Sequence, residues 1–141
     1  MALPDPKPGL VIRYDYFWSR EADRGQTQGK DRPACLVAAS DPAAQPRFVV
    51  FLPITHSPPG PETTAIELPP KVRAAIGLDD APSWVVVSEH NVDEWPNGGL
   101  SLVAGKLGSY AYGFIPPGLF RQIKAAFLEL ARAKRSVGVR R

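Results

Sequence analysis

Sixteen prolines and twelve glycines are spread through 141 residues, and that spacing limits what the chain can build. Proline lacks an amide proton and interrupts helix interiors and central strands, while glycine weakens both. A bundle of long helices is therefore disfavoured, and short strands joined by turns are favoured. The exception lies near the C-terminus. In "PPGLFRQIKAAFLELARAKR", Leu119, Phe120, Ile123, Phe127 and Leu130 recur at three- and four-residue spacing, which predicts an amphipathic helix.

The strands follow from the segments between the breaks. "LVIRYDYFW", Leu10 to Trp18, is rich in β-branched and aromatic residues and starts after Pro8-Gly9, so it reads as a first strand. Residues 19–31 are polar and predict an exposed, mobile loop. Pro33 to Ser40 reads as the second strand and Arg47 to Thr55 as the third, whose unbroken apolar centre predicts burial on both faces. Thr63 to Leu68 is a fourth strand, "PPKVRAAIGL" has room for a short helix with Pro70 in its first turn, and Ser83 to Val92 is a fifth strand. The final "SVGVRR" is expected to fray. The bottom-up expectation is a mainly β (α+β) fold: five to seven short, mostly antiparallel strands in a small barrel or strongly bent sheet, with one C-terminal amphipathic helix.

With 44% hydrophobic and 22% charged residues, the chain suits one soluble core and leaves little room for a second. The expected domain is 8–135, with flexible termini at 1–7 and 136–141. No run approaches the ~18 apolar residues of a membrane span, and "MALPDPKPGL" lacks the pattern of a secretory signal, so a cytoplasmic protein without membrane contact is expected. The single cysteine, Cys35, sits in an apolar run and reads as a buried hydrophobe. The net charge of +3 is unevenly placed. From Arg121 onward seven basic residues face Glu129 alone, a net +6, so the first 120 residues carry −3. Overall basicity is thus weak support for nucleic-acid binding by the body of the protein.

Several kinds of chemistry lack their motifs. There is no phosphate-binding Walker loop, no dinucleotide glycine fingerprint and no paired-cysteine metal site. His56 and His90 lie far apart without a cysteine nearby, so no metal or cofactor is expected. What remains are polar residues where apolar strands begin or end. Lys30 and Arg32 precede the second strand, Thr55 and His56 close the third, and Glu89 and His90 lie toward the end of the fifth. Taken singly, each is most simply a turn or surface residue.

Their order carries more than each position does. "PGLVIRYDY", "GKDRPACLVAAS", "FVVFLPITHS", "WVVVSEHNVDEW" and "YAYGFIPPGLFRQIKAAFLEL" resemble, over residues 8–130 and in the same sequence, the MazF/PemK-like endoribonuclease toxins of bacterial toxin–antitoxin pairs. The clearest points of likeness are Arg32-Pro33 before an apolar strand and Pro53-Ile54-Thr55 ending the next. The resemblance implies an SH3-like barrel, a homodimer, cleavage of single-stranded RNA without a metal, and inhibition by a cognate antitoxin. It places Arg32 and Thr55 as the catalytic pair. A guanidinium and a hydroxyl suit that role, because attack of a ribose 2′-hydroxyl on its phosphate builds charge on the nonbridging oxygens. His56 is the candidate proton acceptor or donor, with Lys30, Glu89 and His90 as candidate substrate contacts. A second possibility, also drawn from the resemblance, is a barrel that binds a protein target such as DNA gyrase, or serves as an interaction domain, and cuts nothing.

Overall fold

The computed structural model describes residues 3–25 and 29–141. Residues 26–28, in the middle of the expected mobile loop, and residues 1–2 lie outside the described part. Among the described residues, nine strands and three helices follow in the order β1 (Leu10–Tyr16), α1 (Ser19–Asp23), β2 (Lys30–Ala39), β3 (Phe48–Thr55), β4 (Ala65–Glu67), α2 (Pro70–Ala75), β5 (Trp84–Val86), β6 (Glu89–Glu94), β7 (Leu100–Ser101), β8 (Ala111–Phe114), α3 (Pro117–Arg132) and β9 (Val137–Arg140).

β1, β2 and β3 form the centre, antiparallel and in register through Ile12↔Ala34 and Ala34↔Pro53. Their alternating side chains feed two cores. On one face Val11, Cys35, Val37, Leu52 and Ile54 meet Ile123 and Phe127 of α3. On the other, Ile12, Tyr14, Tyr16, Leu36, Val49 and Phe51 pack with Trp18 and Val86. The continuous apolar run of β3 is thus buried on both sides, as its sequence implies. The stripe on α3 also lies as its spacing predicts: Ile123 and Phe127 are buried, with Leu119, Phe120 and Leu130 partly buried against the same core. Each fully buried side chain of this kind contributes about 1.5–3 kcal/mol.

The fold is mainly β and mostly antiparallel, but it departs from the expected form in four respects. First, among the described residues it has nine strands, and they do not close into a barrel: the sheet runs β4-β5-β3-β2-β1-β7, with β6 and β8 attached to β3 and β1 and β9 to β6. Closure is replaced by partner exchange. β3 pairs with β6 along Phe48–Phe51 and with β5 at Ile54 and Thr55. Second, the expected fifth strand divides into β5 and β6 around Ser88, whose hydroxyl accepts the Thr64 amide and whose carbonyl accepts the Val137 amide. Third, the segment expected to fray forms β9, parallel to β6 through Glu89↔Val137 to Val92↔Arg140. Fourth, Ser19–Asp23, part of the expected loop, is a short helix. Among the described residues, no helix is long and apolar enough to cross a membrane.

Candidate functional site

β2 begins at Lys30, three residues before the expected Pro33, so Arg32 lies within a strand and faces Tyr14 of β1 across the ladder. Pro33 removes no bond to β1, because Arg13 opposite turns away from β2, its amide going to the Tyr110 carbonyl. Gly29 makes the approach possible. A Cβ there would fall 2.0 Å from the Tyr16 carbonyl oxygen. On the other side the Ala34↔Pro53 register, continued two residues, sets Arg32 across from Thr55. Opposed residues of antiparallel strands share a face, so the two side chains leave the sheet on the same side.

Arg32, Thr55 and His56 line one open cleft of about 660 Å³. Its other charged groups are Arg13, Asp31 and Asp79. Arg13 is committed, donating to the Leu102 carbonyl at 3.0 Å and lying 3.8 Å from Asp31. Asp31 also accepts the Ser101 hydroxyl at 2.9 Å. Arg32 is different. Its only side-chain hydrogen bond among the described residues runs from Nε to the Lys30 carbonyl at 3.4 Å, and it has no carboxylate within ion-pair reach there. Its guanidinium carbon rests 5.1 Å from the centre of the Trp18 ring. Burial lowers its pKa, with Arg20 adding to the effect and Glu21 opposing it. Half-buried and without a carboxylate partner among the described residues, it is a cation still in need of an anion.

Thr55 Oγ1 accepts the Ser57 amide at 3.1 Å, a local turn bond that leaves the hydroxyl proton free to donate. That turn carries His56 into the same cleft. The His56 ring has Nδ1 2.9 Å from the Pro82 carbonyl and 3.2 Å from Ser83 Oγ, and Nε2 3.1 Å from Asp79 Oδ2. With both nitrogens protonated, the carbonyl and the carboxylate are each satisfied; in the neutral ring one of those contacts loses its proton. The side chains of His56 and Asp79 are 56% and 64% exposed, so this end of the network is open to incoming groups.

Asp79 and Ser83 were not singled out in the sequence. They arrive on the loop after α2, within the proline-rich stretch 57–83. Their only local signal is that "LDDAPS" reads as a turn, which it is: Asp79 Oδ1 accepts the Ala81 amide at 3.1 Å.

The other sequence candidates do not line this cleft. Lys30 is exposed at the start of β2, opposite Tyr16. Glu89 and His90, expected to converge on the same mouth, point to opposite faces of β6, as adjacent strand residues must. Glu89 accepts the Tyr16 hydroxyl at 2.9 Å, the Ser19 amide at 3.1 Å and the Ser19 hydroxyl at 3.3 Å. Burial raises its pKa in spite of these bonds. It ties β1 and α1 to β6. His90 turns toward α3, its ring edge-on to Phe127 at 5.2 Å. Ser136 Oγ donates to the Val87 carbonyl, so it is His90 Nδ1–H that donates to Ser136, at 2.9 Å.

Compared with known proteins, the chain matches no family model and no curated protein.

Proposed function

We propose that the protein is an endoribonuclease of the MazF/PemK-like toxin kind, cutting single-stranded RNA by attack of a ribose 2′-hydroxyl on the adjacent phosphate, without a metal. The observation that carries this reading is the shared cleft of Arg32 and Thr55, in which Arg32 has no carboxylate partner among the described residues. In the reaction a bond forms between the 2′-oxygen and phosphorus, and the bond from phosphorus to the 5′-oxygen breaks. The products are a 2′,3′-cyclic phosphate and a 5′-hydroxyl. Arg32 supplies a planar fork of donors to the nonbridging oxygens as their charge grows, and the Thr55 hydroxyl adds a neutral donor. His56, oriented by Asp79, handles the proton that leaves the 2′-oxygen or the one that reaches the 5′-oxygen. By the same resemblance the active species is a homodimer, inhibited by a cognate antitoxin.

The test is incubation of purified protein with mixed RNA in EDTA. Cleavage is expected, together with a loss of roughly 100-fold or more in Arg32→Ala, the scale of removing one preorganised donor to a transition-state oxyanion, and a smaller loss in Thr55→Ala. An intact RNA pool, or variants as active as wild type, would refute the assignment.

A non-catalytic, protein-binding reading has one observation in its favour. Leu102, Leu107 and Phe114 are large apolar side chains left exposed between β7 and the end of β8. Inhibition of gyrase supercoiling by a protein that leaves RNA intact would favour it.

A further inference from the structure

We propose that Arg20 and Arg32, both held on Trp18, form a clamp for a second phosphate of the same RNA strand, one that is not cleaved; this rests on the ribonuclease reading above. The guanidinium carbons of Arg20 and Arg32 lie 4.8 and 5.1 Å from the centre of the Trp18 ring. Trp18 is a fixed support: it is 6% exposed, its ring is set edge-on to Tyr16 at 5.3 Å, and its backbone amide donates to Glu21 Oε1 at 3.0 Å. A cation over an aromatic face is favourable, but two on one ring repel each other. Arg20 helps to lower the pKa of Arg32 by that repulsion.

Three nearby carboxylates are already engaged. Glu21 is bonded to the Trp18 amide, Glu89 to Tyr16 and Ser19, and Asp15 to Arg141. Among the described residues neither Arg20 nor Arg32 makes an ion pair, and Arg20 makes no side-chain hydrogen bond. Two guanidiniums on one ring, without an ion-pair partner among the described residues, present donor forks suited to a phosphodiester. Arg32 belongs both to this pair and to the cleft with Thr55 and His56. An RNA backbone with its scissile phosphate in the cleft would therefore continue past Arg32 to Arg20. The clamp supplies local affinity that the mildly acidic body of the chain lacks.

The experiment measures binding of a fluorescein-labelled, single-stranded 2′-O-methyl oligonucleotide, which cannot be cleaved, across a range of salt concentrations. Arg20→Ala is expected to weaken binding and to lower the slope of log affinity against log salt by about 0.7, the contribution of one phosphate contact on a single strand. Arg20→Lys is expected to keep the slope, because it keeps the charge. Arg20 is exposed, and a thermal melt checks that each variant is folded. Arg20→Ala binding with the wild-type affinity and slope overturns the clamp while leaving the nuclease reading in place if RNA is still cut. Wild-type protein that fails to bind the oligonucleotide overturns the clamp. A salt-dependent complex weakened by Arg20→Ala supports it even if RNA is never cut, which would refute the nuclease reading alone.

Discussion

Arg141 and Asp15 form an ion pair across 126 residues of chain, with Nη2 3.2 Å from Oδ2. The same guanidinium donates to the Asp15 carbonyl and lies 5.2 Å from the Phe17 ring. Its side chain is only 16% exposed. Beside it Asn91, fully buried, exchanges two hydrogen bonds with the Phe17 backbone at 2.8 and 2.7 Å. The basic tail is thus fastened at its last residue, and that residue belongs to the fold.

Arg141→Ala is therefore expected to destabilise the protein by about 1.5–3 kcal/mol, the range for a hydrogen bond to a charged group. Deleting residues 136–141 removes β9 as well and should cost more. Urea unfolding checks both; an unchanged midpoint would show that the tail is dispensable.

Arg32→Lys keeps the charge but loses the planar fork. RNA cleavage is expected to fall roughly 10- to 100-fold, the equivalent of one charge-assisted hydrogen bond. The ratio of kcat/KM between wild type and variant measures it.

Asp79→Asn removes the carboxylate that holds His56 Nε2. If that contact aims the ring, kcat should fall about 10- to 100-fold with a smaller change in KM, since misplacing a reacting group slows chemistry more than it weakens binding. Asp79→Glu should restore part of the loss. Equal kcat in all three proteins would remove Asp79 from the mechanism.

Burial lowers the pKa of His90, so the folded protein resists its protonation while the unfolded chain takes up a proton near pH 6.5. The contribution of His90 is fully present above about pH 6.5 and is lost as the pH falls toward the lowered folded value. His90→Gln is expected to flatten this acid limb. Chemical denaturation of both proteins between about pH 5 and 8 gives the comparison.

Cys35 is fully buried, and burial alone pushes its thiol up to about 12. It should resist iodoacetamide at pH 8 in the native protein and react once urea unfolds it. Mass spectrometry distinguishes the two.

The sequence speaks clearly where periodicity is strong. α3 is legible because five apolar side chains repeat over several turns, and β3 because its apolar run has no break. Short elements carry no such repetition. β9 spans four residues, contains Gly138, and exists because β6 offers it an edge to pair with. The division around Ser88 has no glycine or proline to announce it. Arg32 was visible as a residue of interest, but Pro33 made it look like part of a turn. That the strand continues depends on the strands beside it, which the local sequence does not reveal. Asp79 and Arg20 were hidden for another reason: their places depend on side chains distant in sequence or on an aromatic ring two positions away.

The position of β1 has a consequence for the time course of folding. It pairs on one side with β2, which follows soon after it, and on the other with β7 and β8, through contacts such as Leu10↔Phe114. Until the chain beyond residue 100 has joined, one edge of the first strand has no partner, and its row of amides and carbonyls is free to pair with another molecule. Closing so distant a contact is slow compared with forming a hairpin. The interval between those two events is when overproduced chains are most exposed to aggregation, so slower synthesis at lower temperature should raise the soluble yield.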